Sequence, residues 1–455
     1  MTRASLPLSA FEYLMVAQDS PAYPCVVYCK MHFDGKLDRE AFLCSLREMF
    51  DRHPLLRSRV QESWRGLHWV HEDSERIPIQ WLTDTPGEDW VSDSRLDLFT
   101  EVGTKVFVYD LPDACTILFQ CHHACVDGLG MQSALDDLWL LYDSRTAGDP
   151  RTLPPYEPAL LPDRNRFGMN IFRSIAAIPK QMVGLLGVRQ YVMRQPVPIV
   201  PHAVISNTSP TPLPASCHIA RFDKTFSKKL RQSASERNAT LNDLIACAVF
   251  EAIAGFRRQR GHQDSQEWIR MMVPVNMRST PQDHLQTACN IVSSVFLDRT
   301  PSQIEDRQRL LGGIHDEMEL IKRNRLGLIF IASLWLKKQW PRRRSSMPPP
   351  ERCQTTVVVT NVGRSFASSR LRGSDGYFRA GELKLESITM LAPMTPFLSA
   401  AITINEYAGE LRLAMRYDVR ILSRDAAGEL LELVVSKLTS WIAVQPTREE
   451  AKSDG

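Results

Sequence analysis

The sequence predicts a mixed α/β chain, two halves that each lay helices against a sheet as a two-layer sandwich. Three observations carry this. The chain has 455 residues, more than a single hydrophobic core usually serves. Apolar residues alternate along it between a period of two and a period of 3.6. Two proline-rich stretches, 144–165 and 196–214, separate the patterned parts. The division expected is a first half at 1–165, a linker at 166–215 with an amphipathic segment, a second half at 216–445 and a disordered tail at 446–455.

In the first half, Val26 to Phe33 is rich in β-formers. Asp38 caps a helix with Phe42, Leu46 and Met49 on one face. Arg57 to Val60 reads as a short strand. Lys105 to Tyr109 and Thr116 to Cys121 flank the turn Leu111-Pro112-Asp113-Ala114 as a hairpin. After Gly130 a helix runs from Met131 to Tyr142. Phe167 to Val192 is an apolar, basic helical segment.

The second half starts near Cys217. Phe226 to Arg237 reads as a helix, and Thr240 caps Leu241 to Phe256, with Asp243 completing a capping box. Trp268 to Pro274 and Ile291 to Leu297 read as strands, and Ile304 to Arg323 as one long charged helix. Strands follow at Thr355–Thr360, Lys384–Leu391, Leu398–Ile404 and Leu411–Tyr417, the last two joined around Glu406-Tyr407-Ala408-Gly409. Leu422 to Ile442 closes the chain as a helix.

Composition excludes several classes. A net charge of +3 gives no footing for nucleic-acid binding. Ten cysteines are scattered without a CxxC pair, so neither a zinc site nor a redox motif is supported. The N-terminus has no secretory pattern, and reduced cysteines in a cytoplasmic protein are the expectation. No apolar run reaches the roughly 18–20 residues that span a bilayer.

One segment is sharp: His122-His123-Ala124-Cys125-Val126-Asp127-Gly128. Two histidines, an aspartate and a glycine at these offsets arise by chance on the order of once in a thousand such chains. A strand delivers the pair and a helix leaves after it. Adjacent strand residues point to opposite faces, so the two histidines are poorly placed to share a metal ion. The plainer reading is a strand-end histidine satisfied in the core, followed by an ordinary Asp-Gly turn.

This segment resembles the HHxxxDG motif of the chloramphenicol acetyltransferase-like superfamily, which includes peptide-synthetase condensation domains, wax ester synthases and alcohol acetyltransferases. Arg52-His53-Pro54-Leu55-Leu56-Arg57 resembles the early "RHExLR" motif, and Val273-Pro274-Val275-Asn276-Met277-Arg278 the "VPVNxR" strand. Asn290 to Leu297 sits where the family has its "GN" segment, and Thr360-Asn361-Val362-Gly363 resembles "SNxG". The matches fall in the family's order from about Leu8 to about Leu438. The plant-type "DFGWG" and wax-ester "PLW" motifs are absent, which leaves the substrate class open. A carrier or adenylation domain does not fit in the remaining length, so a stand-alone protein is expected.

The resemblance implies two acetyltransferase-like halves forming a V with a tunnel between them. It implies acyl transfer from a phosphopantetheine thioester, either acyl-CoA or an acyl carrier protein, to a hydroxyl of a lipid or secondary metabolite. No bound cofactor or metal is implied. His123 becomes the general base, a role that imidazole suits. His122 supports the strand. Asp127 could be a second catalytic group, but the resemblance implies a structural ion pair with Arg278. Gly128 lets the backbone approach substrate. Asn361, Ser293 and Ser294 are candidate oxyanion donors, each equally an ordinary polar strand residue. The alternatives are an amide-forming condensation domain acting in trans and a non-catalytic homologue that only binds partners.

A membrane surface is a further partner to weigh. Lys322, Arg323 and Arg325 precede Leu326 to Leu336, and Lys337, Lys338, Arg342, Arg343 and Arg344 follow. Basic flanks around a short apolar helix suit an interfacial segment, though a core helix with solvated ends has the same pattern.

Overall fold

Three sheets organise the computed structural model of the chain. It describes residues 6–72, 77–83, 95–148, 152–167, 181, 184, 187–202, 216–262, 264–278, 287–339 and 352–443. β1 (Leu6–Pro7), β4 (Gly66–His71) and β3 (Ser58–Ser63) form a small sheet. A six-stranded sheet runs β12 (Arg379–Ala380), β13 (Leu383–Leu391), β2 (Val26–Asp34), β7 (Ala114–His122), β6 (Thr104–Asp110), β5 (Ile79–Leu82). A second runs β10 (Val292–Arg299), β9 (Ile269–Asn276), β11 (Val357–Arg364), β14 (Ala400–Tyr407), β15 (Glu410–Tyr417), β8 (Cys217–Phe222).

The α/β class predicted from sequence is what the chain adopts. One connection is not in that reading: β12 and β13 come from late in the chain yet extend the sheet of β2 and β7, with Leu391 opposite Tyr28. Leu383, Leu385, Ile388 and Met390 accordingly pack into the core of Phe33, Phe42 and Trp139. Trp139 is wholly buried, 4.5 Å from the Phe33 ring and 5.8 Å from that of Phe42. A separate core gathers α4 (Lys224–Ser235), α5 (Leu241–Gln259), α7 (Arg307–Asn324) and α9 (Arg424–Ala443) against the other large sheet.

Caps explain where helices begin. Ser9 and Glu12 form a reciprocal capping box on α1 (Ala10–Gln18). Asp38 caps α2 (Arg39–Arg52), and Thr240 with Asp243 opens α5. The helix after the histidine segment, α3 (Gly128–Thr146), starts earlier than its apolar pattern because Asp127 is its cap. The long charged helix is in fact two, α6 (Pro301–Glu305) and α7, because Asp306 leaves the helical conformation and caps the second. The Arg57–Val60 strand begins one residue later, after a 3-10 turn at Pro54–Arg57. The β14–β15 hairpin closes on Ala408 and Gly409, both at positive φ (51° and 88°), as a two-residue turn requires.

Of the expected helical segment Phe167 to Val192, the described residues 181, 184 and 187–192 are helical, and most of the rest lies outside the described residues. So do the tail at 446–455 and much of the second proline-rich stretch. Among the described residues no helix is long and apolar enough to cross a membrane.

Candidate active site

β7 is buried from Cys115 onward and ends at the histidine pair. The His122 amide donates to the Gly103 carbonyl and the His123 amide to that of Cys25, each at 2.8 Å. The two side chains then part. His122 is 1% exposed. Its Nδ1 accepts from the Ala124 amide at 3.1 Å, so its proton sits on Nε2, 3.9 Å from Asp19 Oδ1. Burial, reinforced by the charges of His123 and Arg95, pushes its pKa down to about 3.

His123 is half-buried. Its Nδ1 lies 2.9 Å from the Val126 carbonyl oxygen. A carbonyl only accepts, so Nδ1 carries the hydrogen and Nε2 keeps a lone pair. Burial holds the ring below the ordinary histidine pKa, although the Val126 carbonyl and Asp127 act in the opposite sense. At neutral pH the ring is therefore an uncharged imidazole, the form a proton acceptor needs.

Asp127 is buried with both oxygens occupied. Oδ1 accepts from the Gly130 amide at 2.7 Å and Arg278 Nη2 at 3.1 Å; Oδ2 accepts from the Ile291 amide at 2.8 Å and Arg278 Nη1 at 2.9 Å. The side chains of Asp127 and Arg278 are 1% and 9% exposed. This bidentate pair ties the histidine loop to the segment after β9. The geometry gives Asp127 no contact with the His123 ring of the kind a Ser-His-Asp relay uses.

Four residues not singled out as site residues in the sequence, Asn290, His53, Asp137 and Arg52, complete the frame. Asn290 Nδ2 donates to the carbonyls of His123 (2.5 Å) and Ala124 (2.9 Å). His53, fully buried, accepts the Ala288 amide on Nδ1 at 2.9 Å and donates from Nε2 to Asp137 Oδ2 at 3.2 Å. Arg52 Nε binds the same oxygen at 2.6 Å. The segment 287–291 is thus held by α2 and α3 on one side and holds the histidine loop on the other. The Arg52-His53 and Asn290 segments were visible as motifs without a role; Asp137 left no signal at all.

Glycines at the start of α3 permit close approach from the other half. A Cβ at Gly128 would lie 2.8 Å from Val362 Cγ1 on β11, and one at Gly130 3.0 Å from the Cys289 carbonyl. Gln132 Nε2 donates to the Val362 carbonyl at 2.6 Å. Of the candidate oxyanion donors, Ser293 is buried and gives its hydroxyl hydrogen to the Gly327 carbonyl at 2.7 Å. Ser294 is buried on the opposite face of β10. Asn361 is exposed, its amide bound to Asn242 Oδ1 and its oxygen to the Gly363 amide. Among the described residues no hydrogen bond joins any of these three to His123. Cavities of about 210 Å³ beside Arg257 and about 460 Å³ beside Trp335 lie away from the histidine. Among the described residues no three His, Cys, Asp or Glu side chains cluster as a metal site.

Comparison with known proteins places the fold. No family model matches the chain. It is 30% identical over 139 residues to chondramide synthase cmdD of Chondromyces crocatus, covering 27% of this chain and only 4% of that much longer protein. The first condensation domain of the CDA synthetase superposes with a TM-score of 0.73 at 14% identity over 97% of both chains. The starter condensation domain of rhizomide synthetase, solved with C8-CoA and Leu-SNAC, gives 0.69 at 13% identity, over 97% of this chain and 95% of that one. TRI3 trichothecene 15-O-acetyltransferase from Fusarium sporotrichioides gives 0.69 at 13% identity, over 96% and 95%. The chain has the fold these condensation domains and this acetyltransferase share.

Proposed function

We propose that this chain is an acyltransferase that moves an acyl group from a phosphopantetheine thioester to a hydroxyl acceptor, with His123 Nε2 as the general base that takes the acceptor's proton. The observation that carries the reading is the His123 tautomer. The Val126 carbonyl takes the Nδ1 hydrogen at 2.9 Å, and the half-buried residue is left neutral with a lone pair on Nε2. The acceptor oxygen attacks the thioester carbonyl while its proton passes to Nε2. The tetrahedral intermediate then expels the thiolate, which takes that proton back. The oxyanion formed in between needs donors; the Gly128 and Leu129 amides at the start of α3 are the candidates, since Asp127 already takes the Gly130 amide.

Condensation domains and an acetyltransferase of the same fold support a thioester donor and a small acceptor. Acyl-CoA and an acyl carrier protein both remain within the reading, as does a lipid or secondary-metabolite alcohol as acceptor. The fold is equally compatible with amide formation in trans, and a binding-only homologue would keep the same frame without turnover.

The deciding experiment is a screen of acyl-CoA and acyl-carrier donors against alcohol and amine acceptors, with wild type and His123→Ala side by side. Transfer should fall roughly 10²–10⁴-fold in the variant. Wild-type rates from His123→Ala would sink the assignment; ester against amide product separates the first two readings.

A further inference from the structure

Five of the nine exposed large apolar side chains among the described residues sit on two helices. Val188, Val192 and Met193 belong to the helical residues 187–193, and Trp335 and Leu336 to α8 (Gly327–Gln339). Val192 is 75% exposed and Trp335 55%. The opposite face of α8 is packed: Leu334 is in the core, and the Phe330 ring lies 6.1 Å from that of Phe11. Both helices therefore show water the side chains that an ordinary surface helix would hide.

Charge separates along the same two stretches. Residues 164–222 contain seven Lys or Arg and no Asp or Glu; residues 320–350 contain eight and none. Taking these fifteen from the chain's 55 leaves 40 basic against 52 acidic residues elsewhere. Among the described residues, four of the fifteen are answered by carboxylates outside the stretches, Arg164 by Glu12, Arg166 by Asp163, Arg194 by Asp298 and Lys322 by Glu319, so the small net charge of +3 still hides a basic excess along them.

The fold brings the two stretches together. Gln181 Nε2 donates to the Asn324 carbonyl at 2.9 Å and Arg325 Nη2 to that of Phe167 at 2.6 Å. Gly184 abuts Ile329 so closely that a Cβ there would lie 1.9 Å from its Cδ1. The Tyr191 ring stands 4.7 Å from Phe296, which stands 5.7 Å from Phe330. Arg189, Lys322 and Arg323 are exposed around this junction, Lys322 leaning on Glu319 at 3.2 Å. Beside it an apolar groove of about 460 Å³ opens between Phe11, Phe167, Leu328 and Trp335.

We propose that this face seats the protein on an anionic lipid surface. Cationic side chains answer the headgroup charge, while Trp335, Leu336, Val192 and Met193 enter the headgroup–acyl boundary. Helical backbone keeps its own hydrogen bonds there, so shallow insertion strands no polar group. An acidic protein partner would satisfy the charges but leave the exposed apolar side chains unexplained.

The test is sedimentation of the full chain with vesicles of phosphatidylcholine alone and mixed with phosphatidylglycerol, at low and high salt. Wild type should pellet with the mixed vesicles only, and less at high salt. Lys322→Gln with Arg323→Gln should weaken binding about fivefold per charge removed. Trp335→Ser with Leu336→Ser should weaken it as well, with unchanged thermal melting. His123→Ala should bind like wild type, so a failure of this proposal is distinct from a failure of the catalytic one. Wild type left in the supernatant of both vesicles would overturn the proposal, as would equal binding to neutral vesicles or wild-type binding by both double variants. Capture of an acidic carrier protein without vesicle binding would assign the face to a protein instead.

Discussion

His122 and His123 are neighbours in sequence and opposite tautomers in structure. The first accepts the Ala124 amide on Nδ1 and holds its hydrogen on Nε2; the second gives its Nδ1 hydrogen to Val126 and keeps Nε2 bare. The division follows from the strand, which sends successive side chains to opposite faces, so that His122 is fully buried and His123 only half-buried. It predicts different phenotypes. His123→Ala should keep the fold and lose roughly 10²–10⁴ of the transfer rate. His122→Ala should show its loss first in thermal melting, since it empties a packed site. Equal melting and equal turnover in the two variants would refute the division of roles.

The Asp127–Arg278 pair is buried and bidentate, so removing either partner strands a charge. Asp127→Ala and Arg278→Ala should each cost about 3–5 kcal/mol. A double-mutant cycle read by urea unfolding should give a combined loss well below the sum, because the second removal relieves the first. Additive losses would mean that the two do not act as a pair.

Asn290→Ala takes one donor from two carbonyls, His123 and Ala124. A stability loss of about 1–3 kcal/mol is expected, with faster amide exchange in the loop 123–127. Unchanged exchange there would show that the loop holds its shape without the asparagine.

At Gly128 the argument is steric. An added methyl meets Val362 Cγ1 at 2.8 Å, so Gly128→Ala should destabilise by about 1–3 kcal/mol. Adding Val362→Ala opens the space, and the double variant should recover part of the loss in the same melting assay. No recovery would place the strain elsewhere.

Stability should fall as the solution is made acid. The pKa values of His53, His122 and His123 are all lowered on folding, His122 to about 3. Between an unfolded pKa near ~6.5 and the lowered folded value, the unfolded chain binds the extra proton. Each histidine then removes up to roughly 1.4 kcal/mol per pH unit of descent. Asp19, Asp136 and Glu317 work against this: burial raises the pKa of each, that of Asp19 to about 6, so protonating them as the pH falls further favours the folded state. Denaturant melts between about pH 7 and 6, where the histidines dominate, should show net loss, and a flat profile there would contradict the histidine burial.

Much of this frame was legible in the residues. The caps at Asp38 and Thr240, the hairpin around Pro112 and the strand running into His122 are local features, and local chemistry writes itself into sequence. The break at Asp306 was missed because the apolar rhythm continues across it while the cap interrupts the backbone. The His53–Asp137 contact joins residues 84 apart, and Asn290 reaches carbonyls 166 and 167 positions away. Such contacts have no period to read. The pairing of β13 with β2 escaped for the same reason.

That pairing sets an order of events. Tyr28 to Asp34 of β2 lie between β7 and β13 in the sheet, and β13 ends at Leu391. While the protein is being made, the outer edge of β2 stays bare until those late residues leave the ribosome. A fragment stopping at residue 165 would keep that edge permanently, with a row of unanswered amides and carbonyls inviting another chain to add a strand. The half that carries the histidines is thus completed only when most of its partner half has been synthesised.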